Sequence, residues 1–270
     1  MRRRRHLVAV IGLAVVSGAG ACGEDSTGVG GAPFNRPTGA SEVVVQVLVD
    51  GGFVPPEVAL ATVPATTVLG DGTVITLAPT LAIYPGPALA PLQAANVDAA
   101  TVDGLVARAA KLGLLAGPLD FGHPPVADAP KTTVTIVAGG QAHRHVAAAL
   151  GISDEATGGA NRRALKDFLA DLEQLPPGNR AWESNAIAVR VVGPYQADPQ
   201  LPQSPVAWPL DRVPVEAGPG IPCLVVEGDD VRVLRSALAR ANARTPWLIG
   251  GVARSVAFVP VVPGSQPCPA

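Results

Sequence analysis

Valine falls at every second position of EVVVQVLVD (42–50), so Val43, Val45, Val47 and Val49 share one face and predict a strand. Pro55 and Pro56 interrupt the chain, and EVALATV (57–63) predicts a resumed strand at a sheet edge. TTVLGDGTVITL (66–77) predicts a hairpin, because Asp71-Gly72 suits the positive φ angles of a tight turn. LAIYPGPAL (81–89) reads as extended until Pro85 and Pro87 break it. The period then becomes helical. In TVDGLVARAAKLGLL (101–115), Val102, Leu105, Val106, Ala109 and Leu112 fall on one stripe, with Thr101 as the capping residue.

KTTVTIVAGGQAHRHVAAAL (131–150) predicts a second hairpin, and a two-residue turn at Gly139-Gly140 sets His143 opposite Ile136 and His145 opposite Val134. Beyond a polar patch, ANRRALKDFLADLEQL (160–175) predicts a helix with Leu165, Phe168, Leu169 and Leu172 inward, stopped by Pro176-Pro177. NAIAVRVVG (185–193) reads as a strand, and the Pro-rich stretch 194–222 holds one short extended piece at VAWPL. CLVVEG predicts a strand, DDVRVLRSALARANA a helix begun by Asp229 or Asp230, and GVARSVAFVPVV a closing strand. Strands joined mainly by hairpins and mixed with about three packed helices predict an α+β fold with mainly antiparallel sheet.

The first forty residues follow a different grammar. Arg2 to Arg5 are basic, Leu7 to Val16 form a short apolar run, and Ala19-Gly20-Ala21 lead into Cys22. Such a run is too short to span a bilayer and has the layout of an export signal. Ala19-Gly20-Ala21-Cys22 resembles a bacterial lipobox, whose cysteine is acylated; the alternative is ordinary cleavage near Ala21. The expected organisation is a signal at 1–21, a tether at 22–40, and α+β halves at 41–152 and 153–270, separate or continuous. Arg4-Arg5 also loosely resembles a twin-arginine signal.

Composition changes the picture in two ways. Removal of the signal takes four arginines away, leaving 16 basic residues against 22 acidic ones. A body with that balance is a poor partner for nucleic acid. Apolar residues make up 48% but aromatics only 4%, so the core must be built from Ala, Val and Leu. With 30 Gly and 28 Pro, the chain should be rich in turns.

The GDGTV hairpin, DAPKTTVTIVAGGQAHRHV and the closing CLVVEG…ARANARTPWLIGG…VAFVPVVPGSQPC together resemble uncharacterised exported actinobacterial lipoproteins and secreted proteins, over most of residues 42–268. The resemblance implies the architecture and assigns no activity.

Candidate chemistry is sparse. His143 and His145 alternate along a strand and could share an ion, with His123, Asp120 and Asp128 in the preceding loop; the alternative is a pair of ring side chains at a sheet rim. No G-x-S-x-G, H-E-x-x-H, P-loop or C-x-x-C occurs, so neither a nucleophile elbow nor a cofactor motif is written in the chain. Asp229-Asp230 reads as a helix cap. Tyr84, Trp208 and Trp247, in proline-stiffened segments, form either a ligand surface or plugs beneath loops.

With Cys22 assigned to lipid, Cys223 and Cys268 are left as an even pair in an oxidising compartment and predict a disulfide. The expected geometry places the CLVVEG and VAFVPVV strands antiparallel and adjacent. The functional expectation is a lipid-anchored, extracytoplasmic, non-catalytic module. It binds the membrane through Cys22, needs no cofactor, and takes an envelope protein or a small molecule as partner. A cell-envelope hydrolase with a site built from loops, and a metal-binding lipoprotein using His143 and His145, are the alternatives.

Overall fold

The computed structural model describes residues 35–152, 158–214 and 220–268. The expected export signal, Cys22 and the first part of the expected tether lie outside them. The described residues belong to one compact unit.

Two sheets carry the fold. The first has seven strands in the order β6-β5-β1-β2-β3-β4-β7. They are β1 (Val43–Gly51), β2 (Thr66–Leu69), β3 (Thr73–Leu77), β4 (Leu92–Asn96), β5 (Pro130–Ala138), β6 (Gln141–Ala148) and β7 (Arg180–Trp182). The second has five strands in the order β10-β8-β12-β11-β9. These are β8 (Ala186–Pro194), β9 (Val206–Ala207), β10 (Cys223–Glu227), β11 (Trp247–Ile249) and β12 (Val252–Pro260). Every pairing is antiparallel except β9 with β11. The α+β class with mainly antiparallel sheet is therefore what the chain adopts. The two expected halves share elements, since β7 from beyond residue 153 completes the first sheet.

The layers follow from strand faces. Val45, Val47, Val68, Val74, Val134 and Ile136 point from the first sheet to α2 (Ala99–Lys111) and α3 (Gly159–Glu173), forming the main core. The opposite face gives Leu69, Ile75 and Leu92 to contacts with Ala188 and Val259 of the second sheet. That sheet's outer face sends Ile187, Val189 and Phe258 against α4 (Asp229–Leu238). The result is four layers: helices, sheet, sheet, helix.

Local chemistry explains most boundaries. At the β5–β6 turn, Gly139 and Gly140 take φ of +60° and +73°, and the register sets Ile136 opposite His143 and Val134 opposite His145. In the β2–β3 turn only Gly72 is left-handed, at φ +87°, while Asp71 accepts a hydrogen bond from the Thr73 amide at 2.9 Å. A Cβ on Gly72 would stand 2.1 Å from the Val97 carbonyl oxygen, so no other residue fits.

Several expectations need correction. Residues 57–63 do not form an edge strand; Pro56–Leu60 make a single helical turn, α1. Pro56 suits a first helical position, and the Pro55 carbonyl accepts from the amides of Val58 and Ala59. The cap of α2 is Asp98, which accepts from the Thr101 amide at 2.8 Å, so Thr101 lies inside the helix. Neither Asp229 nor Asp230 caps α4 through its side chain. Asp229 instead accepts from Arg232 at 2.9 Å, one turn on. A bulge between Val43 and Val45 buries Val44 and Val45 alike and breaks the expected alternation. Within the stretch expected as a tether, half-buried Arg36 donates to Asp103 at 2.6 Å and to the Gly70 carbonyl at 2.9 Å, so residue 36 is bonded to the folded body.

Candidate functional site

His143 and His145 do share a face of β6, but that face meets the helices. His145 is 2% exposed, donates through Nε2 to the Leu114 carbonyl at 2.7 Å, and has its ring at 5.6 Å from Phe121, edge to face. Its Nδ1 is buried without a partner. Burial, with a smaller contribution from His143, pushes its pKa below the ordinary histidine value, against the Leu114 hydrogen bond. His123 lies exposed in a loop, and Asp120 is occupied by the Gly122 amide at 2.7 Å. Among the described residues, no three His, Cys, Asp or Glu side chains gather into a cation site.

A pH dependence follows. The folded state holds His145 neutral, so the unfolded chain binds more protons as pH falls through about 6.5, the ordinary histidine value. Stability should be fully present above that value and decline below it. His145→Gln keeps an amide donor for Leu114 without titrating. The urea midpoint of the variant should therefore change less between pH 7 and pH 5 than that of the parent protein. Equal slopes would refute the assignment.

The aromatic residues separate. Trp247 is 0% exposed and belongs to the core under α4, not to a ligand surface. Its ring stands 5.2 Å from Phe258 and 6.1 Å from Trp208, both edge to face. Trp208 is half-buried against the same cluster, and its indole nitrogen donates to the Arg212 carbonyl at 2.8 Å. In a chain so poor in aromatics, these three rings fill the second core. Tyr84 does stand clear, 76% exposed, beside exposed Leu81 and Ile83 in the β3–β4 loop.

Concave space lies elsewhere. A cleft of about 730 Å³ opens between the C-terminal half of α3 and the helix-facing side of the first sheet. Val47, Val49 and Val74 form its floor with Thr66 and Thr132, and Leu169 of α3 forms its roof. Lys166 and Glu173 of α3 also line it. Thr132 is buried, and neither threonine hydroxyl bonds to a protein group within the described chain. A largely apolar hollow of this size with a few uncommitted hydroxyls has the character of a small-molecule site. Alternation and helix period make each wall, but their meeting across more than a hundred residues is invisible in sequence.

A second cleft, of about 460 Å³, lies between the sheets beside Val58, Leu77 and Phe258, and a third, of about 500 Å³, gathers polar side chains. None of these three clefts is lined by a histidine. No family model, curated protein or solved structure matches the chain.

Proposed function

We propose that the protein is a non-catalytic binding module, held at the extracytoplasmic face of the cell membrane by lipid on Cys22, that takes a small, largely apolar ligand beneath α3. The observation carrying the ligand reading is the cleft of about 730 Å³, with its valine floor and uncommitted Thr66 and Thr132. Apolar walls remove ligand surface from water at roughly 25 cal/mol per Å². The hydroxyls would orient whatever polar group the ligand carries. The anchoring reading rests on Ala19-Gly20-Ala21-Cys22 and the Gly-rich stretch behind it.

One experiment addresses both parts. Expressed in a bacterial host, the protein should partition with membranes and take up labelled palmitate, and Cys22→Ser should abolish the label. The same preparations should bind the fluorescent probe N-phenyl-1-naphthylamine saturably. Ala170 is exposed on α3 over the cleft, so Ala170→Trp should weaken probe binding at least tenfold while leaving the unfolding midpoint in place. Unchanged probe affinity would overturn the ligand reading, and persistent lipid label on Cys22→Ser would overturn the anchor.

A further inference from the structure

The third cleft has a different chemistry. It lies on the face of the first sheet turned toward the second, where the second sheet fails to cover the strands β6, β5 and β1. Cross-strand register puts Arg144, Thr135 and Gln46 in one row, and Thr133 opposite Leu48 in the next. All five line the cleft, whose opposite wall is Arg190 of β8 together with the C-terminal segment Gly264–Pro267.

Three of its polar side chains, Thr133, Thr135 and Arg144, are uncommitted among the described residues. Thr133 is 7% exposed, yet its hydroxyl has no hydrogen-bond partner, and neither has that of Thr135. Arg144 is exposed and pairs with no carboxylate. Arg190 is half-buried and meets only backbone carbonyls: Leu60 at 2.9 Å, Gln266 at 3.3 Å, and Pro267 at 2.8 and 3.0 Å. Carbonyl dipoles satisfy its N–H groups but do not neutralise its charge. Burial accordingly pulls its pKa down from the ordinary arginine value.

Two cations and two free hydroxyls thus face one hollow of about 500 Å³ with no bound counter-charge from the protein. Asp50 lies in the same cleft but toward its other end, four residues along β1 from Gln46, or about 13 Å at strand rise. Its carboxylate is within 3.7 Å of the Lys131 ammonium across the strand pair. The one carboxylate lining the cleft thus stands away from the Arg144 row and is paired with Lys131.

We propose that this cleft binds an oxyanion, the carboxylate or phosphate group of a small ligand, through the Arg144 guanidinium, with Thr133 and Thr135 donating through their hydroxyls and the un-neutralised charge of Arg190 on the facing wall attracting it. The Arg144 guanidinium suits both anions because its planar fork matches paired oxygens. The site is separate from the apolar cleft under α3, on the opposite face of the same sheet.

The test is a titration of the isotope-labelled full chain by NMR, with inorganic phosphate in one arm and acetate in the other. Sodium chloride at matched ionic strength is the control. Saturable shifts centred on Thr133, Thr135 and the Arg144 and Arg190 side chains are expected in at least one arm, and the arm that saturates at lower concentration identifies the anion. Arg144→Ala should raise the apparent Kd at least tenfold and Thr133→Val about threefold, while Ala170→Trp leaves it unchanged. Because Arg144 is exposed and unpaired, its replacement should not move the unfolding midpoint. Non-saturating shifts in both arms, or an unchanged Kd in folded Arg144→Ala, would overturn the proposal.

Discussion

Replacing Arg162 with methionine should destabilise the fold by about 4 kcal/mol, the largest loss expected from any single side chain here. Arg162 is 0% exposed, in the first turn of α3. Its guanidinium donates to the Phe121 carbonyl at 3.1 Å and to those of Ala148 and Ala149 at 3.0 and 2.9 Å. One side chain therefore ties α3 to the end of β6 and to the loop before β5. Ala149 is held at φ +51°, a conformation uncommon for a residue with a Cβ, and the bond to its carbonyl helps hold it there. Methionine would keep much of the stem's packing but strand the carbonyls, at roughly 1–3 kcal/mol each. Arg162→Lys should recover only a fraction, because a point donor does not span three divergent acceptors. Urea unfolding with an unchanged slope measures both, and a loss below about 1 kcal/mol in Arg162→Met would refute the clamp.

Arg162 also shows where sequence reading stops short. The motif ANRRALKDF looks like a polar helix start, and hydropathy alone assigns both arginines to solvent. Helical period says otherwise: Arg162 precedes Leu165 by three residues and Leu169 by seven, on the same stripe. Period, not residue type, carried the information.

Elsewhere the strongest local signals were the ones that survived folding. The Gly139-Gly140 turn fixes the β5–β6 register because only glycine adopts two successive left-handed conformations at no steric cost. The stripe of α3 is likewise legible, since Leu165, Phe168 and Leu172 bury as their spacing requires. By contrast β4, with the sequence LQAAN, and β7, with RAW, carry no alternation worth reading; they are strands because β3 offers an edge to β4, and β4 in turn to β7. EVALATV alternates as a strand would, yet the proline pair before it starts a helical turn. Trp247 stood in a segment that looked like a loop, and tertiary packing made it the centre of a core. The clefts were illegible for the same reason: each wall is local, but the hollow exists only once layers assemble.

Loss of the Cys223–Cys268 disulfide should destabilise the protein by about 3 kcal/mol. The bridge is present with a Cα–Cα distance of 5.8 Å. The topology that suggested it is not. β8 lies between β10 and β12, and both pair antiparallel to it, so the two outer strands run parallel to each other and do not touch. What brings Cys268 to Cys223 is the segment after β12. Gln46 donates to the Pro263 carbonyl at 2.9 Å, and Arg190, directly opposite Cys223, donates to the Pro267 carbonyl. The tail is thus led back across β8 to the strand on its far side. A crosslink spanning 45 residues is worth at most about 4 kcal/mol through chain entropy. Arg190 holds the same tail by separate bonds, so part of its order should outlast reduction. Double Cys223→Ser, Cys268→Ser removes the bridge without leaving an unpaired thiol, and Arg190→Met removes the polar tether alone. Because both act on one segment, their unfolding losses should be non-additive. Once either restraint has freed the tail, the other has less left to hold. Strict additivity in that cycle would mean that the bridge and the arginine stabilise independent parts of the fold. Two alkylatable thiols in the native, non-reduced protein would show that the bridge does not form.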